Sequence, residues 1–254
     1  MKHGSVSQKS IQPSLPHPIG AEYDLEEVKA LFNAKARTWN QKYEAGGSLA
    51  FRAMVFDSLI RRQLSTDARV LDLGCGTAAI ASVLSESGFR VTACDIAEEM
   101  IEAGKRIHVA SPIEWCLLPG DWKRLPFEPC TFDAIIASSI LEYLPDVSGV
   151  LRECQRVLIP GGIMIATVPN PHTLLRKLER LLRPLAVGLE QLRAWNRVGK
   201  LQSYTTYLKC SRNRMSLDEW MAIGRSANFS EINLIETEAQ STSLILLVFG
   251  KSSD

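Results

Sequence analysis

The sequence predicts a doubly wound α/β fold: five parallel strands plus a C-terminal antiparallel hairpin, with N-terminal helices and a helical lid insertion. Three observations predict it. Short apolar runs of strand length alternate with helical stretches of about ten residues, the pattern of crossover units. Those runs are apolar throughout, as a sheet covered by helices on both faces requires. The last two runs, Glu231–Glu236 and Ser243–Gly250, are joined by a six-residue polar connection. That is too short for a crossover, so they must pair antiparallel.

Taken in order, residues 1–20 hold three prolines and no apolar stretch of the kind a secretory signal needs, and read as a flexible tail. Residues 21–254 read as a single domain, with N-terminal helices over 21–64. There apolar positions recur at Val28, Leu31 and Phe32, then at Ala50, Met54, Val55, Leu59 and Ile60, with Gly46–Gly47 between them. Arg69–Leu73 is the first strand, followed by a glycine-rich turn and a helix that Gly88 ends. Arg90–Cys94 is the second strand, Glu98–Ile107 a helix, Ile113–Leu118 the third strand and Phe132–Ser138 the fourth. A helix from about Val147 to Leu158 stops at Pro160-Gly161-Gly162, before a fifth strand at Ile163–Val168. Ser216 and Glu219 have capping-box spacing and open a helix that ends near Asn228.

Composition narrows the class. Of 254 residues, 46% are hydrophobic and 22% charged, ordinary for a globular protein, and a net charge of +1 argues against a nucleic-acid partner. No apolar run reaches the length of a membrane span. The six cysteines, at 75, 94, 116, 130, 154 and 210, form no Cys-x-x-Cys pair. They are expected to be reduced and buried, in a cytoplasmic protein with no metal.

Chemistry concentrates in Val70-Leu-Asp72-Leu-Gly74-Cys75-Gly76-Thr77-Ala-Ala79. A strand ends there, and glycines permit a tight turn and close backbone approach to a ligand before a helix begins. Asp95 follows about twenty residues later at the end of the second strand, where a carboxylate can accept both ribose hydroxyls of an adenosine cofactor. Gly74-x-Gly76-x-x-Ala79 also fits the dinucleotide pattern, so an NAD(P)-dependent oxidoreductase is the alternative. Asp72 favours the other cofactor, because a carboxylate beside the turn attracts a ligand carrying an amino group and a sulfonium and repels a pyrophosphate.

The ordered set of segments resembles the class I S-adenosylmethionine-dependent methyltransferases, whose fold is Rossmann-like. The resemblance runs from Arg69 to about Pro171 and includes Gly120-Asp121-Trp122, Leu125-Pro126-Phe127, Phe132-Asp133-Ala134-Ile135-Ile136-Ala137-Ser138-Ser139, Leu141-Glu142-Tyr143-Leu144-Pro145-Asp146 and Leu158-x-Pro160-Gly161-Gly162. It implies that S-adenosyl-L-methionine is the cofactor. Asp72 and the Gly74, Cys75 and Gly76 backbone would hold its methionine part, Asp95 its ribose, and Ile96 and Met100 would line the adenine. Asp121 would accept from the adenine amino group, with Trp122 packed beside the ring, and Ser138 would touch the cofactor through its backbone. Phe32 to Arg52 and the Leu-Glu-Tyr-Leu turn are similar to the ubiquinone-biosynthesis O-methyltransferases, where an arginine at the place of Arg52 contacts the cofactor carboxylate. Those relatives carry a Glu-x-x-Glu-His cluster after the fourth strand that is linked to a divalent metal. This chain reads Ser139-x-x-Glu142-Tyr143, which puts the metal and the quinol acceptor in doubt.

These residues suggest methyl transfer without a metal to a small-molecule or lipid-linked acceptor oxygen, with His172 or Tyr143 as the base. A cofactor-binding subunit without catalysis is a further alternative. The insertion at 171–214 bears leucines at helical spacing and a net charge of +8, leaving −7 on the remaining chain. Such a segment is either a lid whose leucines pack on the domain or a peripheral contact with anionic membrane through 172–214.

Overall fold

The computed structural model describes residues 25–47, 49–174, 176–179, 181–182, 199–235 and 244–253. The expected tail, the middle of the insertion (183–198) and the connection at 236–243 lie outside the described residues.

Seven strands form one sheet: β1 (Arg69–Leu73), β2 (Arg90–Asp95), β3 (Glu114–Leu117), β4 (Phe132–Ser138), β5 (Leu158–Pro169), β6 (Glu231–Ile235) and β7 (Leu244–Gly250). Their order is β3-β2-β1-β4-β5-β7-β6. β1 to β5 pair in parallel, while β7 runs antiparallel to both β5 and β6. The expected hairpin therefore folds back, and its second strand is the one that joins the sheet. Alternation along each strand feeds two cores. In β1, Leu71 and Leu73 enter the core that holds Ile135, Leu151 and Trp220, whereas Val70 enters the one that holds Phe56, Ile60 and Ile136.

The helices among the described residues are α1 (Leu25–Asn33), α2 (Ala36–Trp39), α3 (Arg52–Gln63), α4 (Ala79–Glu86), α5 (Glu98–Ile107), α6 (Val147–Val157), α7 (Gly199–Cys210) and α8 (Leu217–Ser226). The N-terminal helical region is three short helices rather than two, because the chain breaks after Asn33 as well as around Gly46. Ser216 and Glu219 close the expected capping box reciprocally at the start of α8. The fifth strand departs from expectation. Helix α6 stops at Val157 and the strand begins at once with Leu158, which pairs with Phe132 across a register shift, so Pro160-Gly161-Gly162 lies inside β5. Gly161 takes φ +74°, and the irregularity turns this end of the strand without ending it.

The strand order reverses at β1, whose neighbours β2 and β4 are reached by crossovers leaving in opposite directions. Beyond the carboxyl ends of β1 and β4 this opens a crevice, the usual ligand position in such sheets. The described cysteines are all free. Cys75, Cys94, Cys154 and Cys210 are buried, Cys116 is half-buried, and Cys130 is exposed on the turn before β4, contrary to the expectation that it is buried.

Candidate active site

A cavity of about 390 Å³ occupies this crevice. Its floor is the turn after β1. Gly74 and Gly76 take φ of +77° and +57°. A Cβ at Gly74 would stand 2.1 Å from Ile140 Cγ2, and one at Gly76 would stand 2.7 Å from Trp39 Nε1. Glycine is required here twice over, by the left-handed backbone and by the neighbours above it. Asp95 closes the turn: its carboxylate accepts from the Gly76 amide at 2.8 Å and from the Ala97 amide at 2.8 Å. Burial pushes the Asp95 carboxyl above the usual range, and these amides pull the other way.

Asp72, within β1, is 1% exposed, with neither carboxylate oxygen hydrogen-bonded. Burial, with the charge of Asp95 adding to it, pushes its carboxyl up to about 8. A buried carboxylate without a donor is what a cationic ligand would relieve. Opposite, the Arg52 guanidinium at the start of α3 donates to Ser138 Oγ at 3.1 Å and Ser139 Oγ at 3.2 Å. Ser139 and Trp122, both on the cavity wall, are held at positive φ (57° and 58°). Such conformations are costly for residues with side chains and concentrate at functional sites.

Part of the cavity wall is aromatic and charged. Phe32, Tyr143 and Tyr207 wall it, with ring centroids 5.2 Å apart for Phe32 and Tyr143 and 6.4 Å for Tyr143 and Tyr207. Glu142, 4% exposed, lies on the wall and accepts from Ser211 Oγ at 2.5 Å. Burial raises its carboxyl above the usual range. The lid residues after α7 clamp this turn. Arg212 and Asn213 amides donate to the Glu142 carbonyl, and Asn213 Nδ2 donates to the carbonyls of Leu141 and Leu144. Above them Glu179, 3% exposed, takes Arg176 at 2.8 Å, Tyr204 Oη at 2.8 Å and Arg214. Its burial opposes charge, but these three donors outweigh it and hold the carboxyl below its ordinary value.

Of the residues expected from the sequence, Arg52, Gly74, Cys75, Gly76, Asp95, Ile96, Trp122, Ser138 and Tyr143 stand together on the cavity wall. Four do not. Asp72 is buried within β1, off the cavity wall. Met100 is fully buried on α5, clustered with Ala36, Ala97 and Ala103 and with Phe32 and Trp39 packed against that cluster. Asp121 turns to Lys123, pairing with its ammonium at 2.8 Å. His172 is exposed, on the loop after β5. Tyr143 is on the wall, but burial raises its phenol well above its ordinary value, which suits a donor and not a base. Glu142, Arg176, Glu179, Arg214 and Trp39 were not foreseen.

The chemistry of the cavity fits an adenosine cofactor with a cationic centre. Carboxylates stand at two strand ends, a guanidinium faces them, and the glycine turn leaves no room for side chains between. The family model described as a methyltransferase domain matches residues 71–166. This domain match and the curated relatives support assignment of the chain as a class I S-adenosylmethionine-dependent methyltransferase. Its similarity within that class is to the ubiquinone biosynthesis O-methyltransferases. It is 36% identical to the one from Methylocella silvestris over 50% of this chain and 47% of that protein, so the match spans about half of that relative's length. It is 26% identical to the one from Xanthomonas campestris pv. campestris over 84% of this chain and 91% of that protein. In fold it superimposes on a SAM-dependent methyltransferase from Thermotoga maritima with a TM-score of 0.61 and 17% identity, covering 88% of this chain and 99% of the other. The comparisons give no support to a nicotinamide enzyme or a non-catalytic subunit.

Proposed function

We propose that this enzyme methylates an oxygen of a small or lipid-linked acceptor seated at the aromatic end of the cavity. The observation that carries the reading is the presence, in one cavity, of the Gly74–Asp95 turn and a buried carboxylate, Glu142. The bound cofactor supplies an activated methyl on a sulfonium. Asp95 would accept from the ribose hydroxyls through lone pairs that the Gly76 and Ala97 amides leave open, and Ile96 and Trp122 would enclose the base. Arg52, held by Ser138 and Ser139, pairs with the amino-acid carboxylate. Asp72 counters the ligand's positive charge from within β1.

At the acceptor end, Phe32, Tyr143 and Tyr207 exclude water and orient the acceptor, which is most of what an in-line displacement requires. Glu142 takes the hydroxyl proton in place of His172, which is exposed, and Tyr143, whose phenol is held well above its ordinary value by desolvation. The raised carboxyl of Glu142 brings it closer to the proton it must accept. Among the described residues no group of three His, Cys, Asp or Glu could hold a metal ion.

The described part of the lid also supports the membrane reading. Leu174, Leu178, Leu181 and Leu182 are 41–85% exposed rather than packed on the domain. Leu175, Arg180 and the insertion's other leucines and arginines between 183 and 198 lie outside the described residues. An exposed leucine face within a segment of charge +8 fits a reversible contact with an anionic leaflet, each basic residue adding on the order of 1 kcal/mol. No described helix is long and apolar enough to cross a membrane. Incubation with S-adenosylmethionine and candidate extracts, followed by mass spectrometry, tests the activity. A product one methylene heavier, labile to treatments that cleave methyl ethers or esters, is expected. A product methylated only on nitrogen or carbon contradicts the oxygen assignment.

A further inference from the structure

Inside the aromatic end of the cavity, one polar group lacks what the others have. Glu179 is satisfied by Arg176, Arg214 and Tyr204, and Glu142 by Ser211. Arg176 donates one terminal nitrogen to Glu179 and Tyr207, while its Nε is buried with no hydrogen-bond partner among the described residues. Arg176 also lines the cavity, which Arg214 does not. Arg176 therefore brings a guanidinium with one hydrogen bond unmade to the wall of a ligand space.

The local charge points the same way. Three cations face the Tyr207 ring: Arg176 at 5.9 Å, Arg214 at 5.8 Å and Lys35 at 6.0 Å from its centroid. Two carboxylates, Glu142 and Glu179, stand with them. With both ionised the cluster keeps one positive charge. Tyr204 stacks on Tyr207 at 5.9 Å and 29°, fixing the ring against which Arg176 rests. The arginine is held rigidly by Glu179 and Tyr207, as recognition of a planar acidic group demands.

We propose that Arg176 is a specificity residue that reads a carboxylate on the acceptor. The acceptor is then a molecule with a flat apolar body, packed among Phe32, Tyr143 and Tyr207, whose acid group meets the Arg176 guanidinium. The carboxylate pairs with the guanidinium and neutralises the surplus charge. A neutral amide of the same shape does neither. This inference rests on the methyltransferase reading only in taking the aromatic part of the cavity as the acceptor chamber.

The test uses the full chain, first titrated with S-adenosylhomocysteine by calorimetry so that the cofactor end is read separately. Benzoate and benzamide are then compared as probes on the saturated protein by ligand-observed NMR. Benzoate should bind about tenfold more tightly or better. R176Q should abolish that preference while leaving S-adenosylhomocysteine affinity close to wild type. R214Q, which shares Glu179 and Tyr207 but not the cavity wall, should keep the preference. Equal affinity for acid and amide in the wild type overturns the proposal. So does failure of both to bind, or loss of the preference equally in R176Q and R214Q, which would make the lid's packing its cause. Failure of S-adenosylhomocysteine to bind would count against the cofactor assignment and is seen before either probe is added.

Discussion

Asp72→Asn should make this protein more stable relative to wild type as pH rises, and worse at holding its cofactor. Asp72 is buried, unpartnered, and has its carboxyl pushed up to about 8. The sign follows from proton binding. Between the ordinary carboxylate range and about 8 the folded state holds a proton that the unfolded chain has lost, so stability falls as pH rises through that window. From about pH 5.5 to 8.5 the loss attributable to this group is about 3 kcal/mol, each unit being worth about 1.4 kcal/mol. Asn carries no such charge. The melting-temperature difference between variant and wild type should therefore grow in the variant's favour by about 6 °C across that range, measured by calorimetry without ligand. Over the same range S-adenosylmethionine affinity should fall about tenfold or more in the variant, because the ligand's positive charge loses its buried counter-ion. Parallel pH profiles of melting, or an unchanged cofactor affinity, would refute the reasoning.

Three other perturbations separate the parts of the site. Asp95→Ala removes the acceptor of the Gly76 and Ala97 amides as well as the ribose contact, and should weaken cofactor binding about tenfold or more by calorimetry; full affinity would mean the ribose lies elsewhere. Glu142→Gln should lower kcat about a hundredfold with cofactor affinity retained, and His172→Ala should leave kcat near wild type; the reverse pattern would return the base to the loop after β5. Co-sedimentation with anionic liposomes should be lost at high salt and reduced by Leu178→Asp with Leu181→Asp, both exposed leucines; salt-insensitive pelleting or none would remove the membrane contact.

What could be read from the chain alone was local. The strand–glycine turn–helix around Gly74, the carboxylate at the end of β2 and the capping box at Ser216 each lie within a few residues of sequence, and backbone geometry dictates their residue types. The alternation of apolar runs likewise gave the parallel core and antiparallel end of the sheet. The lid resisted because its decisive contacts are distant. Arg214 reaches Glu179 across 35 positions and Ser211 reaches Glu142 across 69. In the sequence, Arg176 and Arg214 are two among ten basic residues that read as one solvated face. Nothing in local spacing says that these two turn inward around a shared glutamate. His172 illustrates the converse error: a histidine near a strand end attracts attention as a base, yet its backbone amide bonds Asn170 Oδ1 and its side chain stays exposed.

The most direct test of the two-ended cavity is a crystal structure of the full chain with S-adenosylhomocysteine. The ribose hydroxyls should meet the Asp95 carboxylate, the ligand carboxylate should meet Arg52, and the sulfur should face the chamber bounded by Tyr143 and Glu142. A ligand bound with its ribose away from Asp95, or its sulfur turned from Glu142, would contradict the account.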